Sequence, residues 1–151
     1  MEQFAQISEI EVVYKTKVKA KDRPKITDSR SAFNIIFPLF NADTVELLES
    51  FYILLLNKAN ALLGYRLLST GGMAGTVVDV RHVFAIALKG NAAGIIMAHN
   101  HPSANLQPSQ ADIDLTRRVR DVGKMLDLTL LDHLIVSPDG TYYSFADEGN
   151  I

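Results

Sequence analysis

The stretch Gly94-Ile95-Ile96-Met97-Ala98-His99-Asn100-His101-Pro102 opens on a short apolar run and ends on two histidines separated by a single residue. Residues 94–98 are too few for a helix and apolar at every alternate position, the pattern of a strand buried on both faces. The ends of such strands are where ligands commonly sit in α/β sheets. With the chain still extended through His101, side chains two apart point the same way, so the imidazoles of His99 and His101 converge on one point. Downstream, residues 109–127 form the longest helix expected. Asp112, Leu115, Val119, Val122 and Leu126 fall on one stripe of it, with Arg117, Arg118, Arg120 and Lys124 largely elsewhere. Asp112 thus stands on the buried side of the helix's first turn.

Working outward, Phe51-Tyr52-Ile53-Leu54-Leu55-Leu56 is a second strand buried on both faces, Lys58-Ala59-Asn60 a turn, and residues 62–69 the hairpin partner. Gly71-Gly72-Met73-Ala74-Gly75 reads as a loop, since it lacks the Gly-Lys-Ser/Thr of a phosphate cradle. Val80, Val83, Phe84, Ala87 and Leu88 recur at helical spacing up to Gly90-Asn91. Residues 128–137 are rich in Leu, Ile and Val, and Pro138-Asp139-Gly140 turns the chain so that residues 141–145 can return as a short strand. Near the N-terminus, Ile10, Val12, Tyr14 and Val18 alternate with Lys15, Lys17 and Lys19, predicting a half-buried strand over residues 10–20. Its lysine row either guards a sheet edge or meets nucleic-acid phosphates. Asp28-Ser29 then caps a short helix through Ala32, Phe33, Ile35, Ile36 and Leu39, stopping near Pro38. This order of elements implies an α/β sandwich with antiparallel hairpins at the ends and a helix crossover near the middle.

Composition narrows the chemistry. The chain has 151 residues, 48% hydrophobic and 21% charged, with 15 Lys+Arg against 17 Asp+Glu and a net charge of −2. That describes one globular domain with a full core. Without Cys, disulfides, thiolate zinc sites and cysteine nucleophiles are excluded, so any metal relies on His and carboxylates. No apolar run approaches the roughly 20 residues of a membrane span, and the start Met-Glu-Gln-Phe has no basic n-region, so a cytoplasmic location is expected.

Two imidazoles and a carboxylate, His99, His101 and Asp112, make a three-ligand site for Zn²⁺ that leaves a fourth tetrahedral position for water. Ser109-x-x-Asp112 is also a helix-capping pattern, but a cap needs no histidine pair upstream on a buried strand end. A zinc hydrolase further needs a general base, and Glu46 and Glu49 are the candidates; spacing does not choose between them. Glu49 stands at the mouth of an otherwise apolar strand, where its carboxylate would be partly desolvated. His133, beside Asp132 in a late buried strand, suits either a hydrogen bond to a ligand or a place in the core, and His82 belongs on the surface.

His99-x-His101-Pro102, six residues, then Ser109-x-x-Asp112 resembles the signature of the JAMM (JAB/MPN-type) zinc metalloproteases. Met97-Ala98-His99-Asn100-His101-Pro102-Ser103, Pro108-Ser109 and Leu131-Asp132-His133-Leu134 are similar to the RadC branch of JAB-domain proteins. The likeness runs from about Glu49 through Phe145-Ala146-Asp147-Glu148-Gly149. It implies a single-domain, cytidine deaminase-like α/β/α sandwich with a mixed sheet, with residues 41–151 as the RadC-like JAB/MPN domain and residues 1–40 as a strand and short helix packing on it. It further implies zinc on His99, His101 and Asp112, water activated by a glutamate that maps onto Glu49, and an oxyanion steadied by Ser109. RadC proteins commonly carry a helix-hairpin-helix domain ahead of the JAB domain, and the first forty residues are too few to hold one.

The expected activity is a metallopeptidase or isopeptidase acting on a peptide or isopeptide-linked protein. The alternative is a DNA repair-associated or protein-binding accessory module, with Lys15, Lys17, Lys19 and Lys21 on phosphates; a homodimer through strand edges is compatible with either. A zinc nucleoside deaminase is excluded, because its HxE and PCxxC pattern needs Cys.

Overall fold

The computed structural model describes residues 7–11, 13–72 and 77–151. Among them, five strands form one mixed sheet: β1 (Glu49–Leu56), β2 (Leu62–Gly71), β3 (Gly94–Asn100), β4 (Thr129–Val136) and β5 (Tyr142–Ser144), in the order β2-β1-β3-β4-β5. The β1–β2 and β4–β5 pairs are antiparallel, as is β1–β3, whereas β3 and β4 run parallel. A parallel pair needs a crossover, and α3 (Gln110–Met125) supplies it. Helix α2 (Val80–Lys89) links β2 to β3, and α1 (Ser29–Ile36) precedes the sheet.

The period-2 alternation of the central strands divides the core into two layers. Even-numbered residues of β3, Ile96 and Ala98, pack with Tyr52, Leu54, Leu134 and Val136 against Ala32, Phe33 and Ile36 of α1. Odd-numbered Ile95 and Met97 pack with Phe51 and Ile53 against Val83, Phe84 and Ala87 of α2 and Val119 of α3. Helices on both faces of the sheet make the α/β/α sandwich, and they explain why β1 and β3 read as continuous apolar runs. At the start of α1, Asp28 and Ser31 form a reciprocal capping box, as the Asp28-Ser29 signal implies.

Two expectations are corrected. The described residues of 10–20 form no strand: Ile10, Val13, Tyr14 and Val18 are exposed. Alternation specifies a strand only where a sheet edge accepts it. Here contact with the edge strand β2 is local, the Tyr14 hydroxyl donating to the Leu63 carbonyl at 2.5 Å. Leu126, expected on the buried stripe of α3, is 41% exposed. It is the residue after the helix, with φ −107° and ψ 8°, so it leaves the stripe, and Leu128 fills the core instead. The backbone can fold back so tightly because residue 123 is glycine: a Cβ there would overlap the Leu128 carbonyl oxygen. Of the Gly71–Gly75 loop, residues 73–75 lie outside the described residues, as does Val12 of the lysine-bearing segment.

Candidate metal centre

Strand β3 stays extended through Asn100, so His99 and His101 do converge, their Nε2 atoms 3.0 Å apart. Each faces one oxygen of Asp112: His99 Nε2 is 3.3 Å from Oδ1 and His101 Nε2 is 3.4 Å from Oδ2. The helix cap and the convergent carboxylate are the same device. Ser109 accepts from the Asp112 amide and donates its own amide to Asp112 Oδ2 at 2.8 Å, which fixes the carboxylate's rotamer against the histidines.

These three residues could hold a metal ion. A tetrahedral zinc with bonds of about 2.0–2.1 Å has ligand–ligand edges of about 3.3 Å; the two Nε2 atoms are 3.0 Å apart, and each has a different Asp112 oxygen at 3.3 or 3.4 Å, so the three side chains gather at the scale of such a site. Two nitrogens and one carboxylate oxygen are also a donor set that zinc favours.

Electrostatics tighten the cluster. Burial by itself raises the Asp112 pKa, but hydrogen bonds from His101 and His99, the His99 charge and the Ser109 amide outweigh it and hold the carboxyl well below the usual range. Burial alone would lower His101; its hydrogen bonds to Asp112 and the Asn105 carbonyl, with the charges of Asp112 and Glu49, raise it overall. His133 lies wholly buried and is pushed well below the ordinary histidine value by desolvation and by its neighbour His99.

His133 touches the cluster directly, Nε2 lying 2.9 Å from His99 Nδ1. Its other nitrogen lies 2.7 Å from Thr116 Oγ1, which donates to the backbone carbonyl of Asp112 at 2.6 Å. Phe51 stacks on His99 with ring centroids 5.5 Å apart and planes 4° apart. Sequence reasoning missed Thr116, although its place one helical turn after Asp112 was the available signal.

Glu49 is the first residue of β1. Because Phe51 pairs with His99 and the strands are antiparallel, Glu49 lies across from position 101, on the same face as Phe51 and His99. Glu46, in the turn before β1, is exposed and lines the same cleft, of about 450 Å³, together with Leu47, Glu49, His101 and Pro102. Ser109 is at the N-cap beside Asp112. His82 is exposed on α2, as expected.

Asn100, between the two histidines, was also missed. Alternation turns it to the opposite face, where its side chain is fully buried. Its Oδ1 accepts from the Ser50 amide at 2.7 Å, and its Nδ2 donates to the carbonyls of Val45 and Leu48 at 2.8 and 2.9 Å. A buried amide must find such partners, and a polar residue inside an apolar strand was the signal available.

Among known proteins, residues 26–150 match the RadC-like JAB domain. A UPF0758 protein of Flavobacterium johnsoniae is 48% identical over 125 residues, covering 83% of this chain and 53% of that protein. Another, from Porphyromonas gingivalis, is 45% identical over 127 residues, 84% of this chain and 55% of its own length. A third, from Methanosarcina mazei, is 34% identical over 147 residues, 97% of this chain and 62% of that protein. The chain spans about half the length of the first two of these relatives. No helix among the described residues is long and apolar enough to cross a membrane. With the match running through the whole sheet and the His-His-Asp cluster, the chain belongs to the RadC-like JAB domain family.

Proposed function

We propose that this protein is a zinc-dependent hydrolase of the JAMM type, a metallopeptidase or isopeptidase cleaving an amide bond in a peptide or isopeptide-linked protein. The observation that carries the reading is the convergence of the His99, His101 and Asp112 donor groups beside a cleft lined by the carboxylates of Glu46 and Glu49. His99, His101 and Asp112 would hold the zinc, which when bound would supply Lewis acidity for the scissile carbonyl and lower the pKa of water towards ~7.

The remaining work falls to the chain's own groups. Glu49, across from His101, takes the proton of the attacking water and delivers it to the departing amine nitrogen. Glu49 is preferred to Glu46 because it lies on the strand face shared with His99 and its charge acts on His101. The Ser109 hydroxyl accepts the Asp112 amide as a cap and retains its own O–H to donate to a developing oxyanion. Phe51 and the buried face of β3 keep water from one side of His99.

The test is hydrolysis of fluorogenic peptide amides and of a lysine-linked isopeptide probe by the zinc-loaded protein and its Glu49→Gln variant. The proposal expects the variant to keep its zinc and lose turnover by about 10²-fold or more. Full activity in Glu49→Gln would remove Glu49 from the mechanism.

A second reading, a DNA-associated or protein-binding accessory role, has one supporting observation. Lys15, Lys17, Lys19 and Lys21 are all exposed on a segment outside the sheet. Duplex DNA binding measured at two salt concentrations distinguishes it: phosphate contacts demand a steep loss of affinity with salt.

A further inference from the structure

The hydrogen bonds of Asn100 link the end of the histidine strand to the segment that carries the carboxylates of the cleft. We infer that Asn100 is a positioning residue for Glu49, setting its height and orientation opposite His101; the inference rests on the hydrolytic reading above.

Three features carry it. First, Asn100 sits between His99 and His101 but faces the other side of the sheet, so it acts on the cleft without touching the imidazole cluster. Second, its partners bracket the residue in question: the carbonyls of Val45 and Leu48 lie before Glu49, and the Ser50 amide lies after it. A single side chain therefore ties the backbone on both sides of Glu49, and the turn holding Glu46 and Leu47, to β3, while the ladder to β2 holds Glu49 and Ser50 from the other side. Third, the turn's internal hydrogen bonds, Val45 and Leu48 amides to the carbonyls of Asn41 and Thr44, do not tie it to β3; the Asn100 amide does. Because β1 and β3 are paired only as far as Phe51 and His99 in their ladder, the Asn100–Ser50 bond extends that register by one residue, to the point where Glu49 emerges. A general base must be held to a fraction of an ångström to meet its proton, which gives the clamp its purpose.

The experiment is amide hydrogen exchange on zinc-loaded wild type, Asn100→Ala and Asn100→Ser, with zinc per chain measured on each. Asn100→Ser keeps a polar side chain too short to span both carbonyls, and it reads the same clamp should Asn100→Ala fail to fold. The expected result is exchange at Ser50 accelerated about tenfold or more, with Met97 and Ala98 still protected and zinc content unchanged. On the peptide amide, kcat falls with KM little altered, and adding Asn100→Ala to Glu49→Gln lowers turnover no further, because the two act through one group. Unchanged exchange at Ser50 in both variants, or losses that add fully in the double variant, would overturn the inference. Should the zinc-loaded wild type hydrolyse no probe, the hydrolytic reading fails, and should Glu49→Gln be fully active, Glu49 is not the base; in either case the Ser50 exchange rates still decide whether Asn100 holds the segment.

Discussion

Nδ1 of His99 and Nε2 of His133 stand 2.9 Å apart in the interior between β3 and β4, and both residues are fully buried. Thr116 Oγ1 donates to the Asp112 carbonyl; were His99 to bind the proposed metal through Nε2, its Nδ1 would carry the proton and donate to His133, which would donate from Nδ1 to Thr116. Every donor would then have one acceptor, which would fix both tautomers and tie two of the proposed ligands together through the core.

Removing that partner should therefore weaken metal binding. His133→Leu keeps the bulk and loses both hydrogen bonds, and zinc affinity should fall by about 10–100-fold in competition with a chelator. Affinity equal to that of the wild type would show that His133 only fills space.

Asp132 offers a pH-dependent prediction away from the metal cluster. Its carboxylate accepts from Ser144 Oγ and from the amides of His133 and Ala146, yet burial dominates these bonds and raises its pKa. A folded-state pKa above the unfolded value favours the folded state most at pH below the unfolded pKa of 3.8, and that contribution is lost as pH rises through the folded value. Asp132→Asn cannot ionise. The variant's melting temperature relative to wild type should thus rise between pH 4 and pH 7; a difference that stays flat or falls would contradict the raised pKa.

Gly123 tests the fold itself. Exchanging glycine for alanine within a helix ordinarily stabilises it by about 1 kcal/mol. At this position the new Cβ overlaps the Leu128 carbonyl, a backbone atom that cannot swing aside. Gly123→Ala should accordingly lower stability, by about 1–3 kcal/mol in denaturant titration. A stabilised variant would mean that the α3–β4 turn is looser than described.

Much of this architecture could be read from residue order because the strong signals were local. The apolar run of β1 and β3, the cap at Asp28 and the pairing of Ser109 with Asp112 each depend on near neighbours, and each formed where expected. The N-terminal alternation was equally local but misled, since a strand also needs an edge to join, and at Ile10 and Val13 the chain stays in solvent. Leu126 failed for a similar reason: the stripe was right, but the tight turn after Gly123 ended the helix first. In the candidate site, His99, His101 and Asp112 were legible from chemistry and spacing. Spacing left Glu46 and Glu49 open and only the family resemblance pointed to Glu49, while the contacts of Thr116 and Asn100 span chain separations that periodicity does not encode.

The central claim is that His99, His101 and Asp112 form a zinc site, and metal content tests it most directly. Elemental analysis of the untagged protein should find about one zinc per chain, lost in Asp112→Ala, because a three-ligand catalytic site cannot spare its carboxylate. Absence of zinc from the wild type even after zinc is added back, or equal zinc in the Asp112→Ala variant, would contradict the account and leave the cluster as a capped helix packed beside two structural histidines.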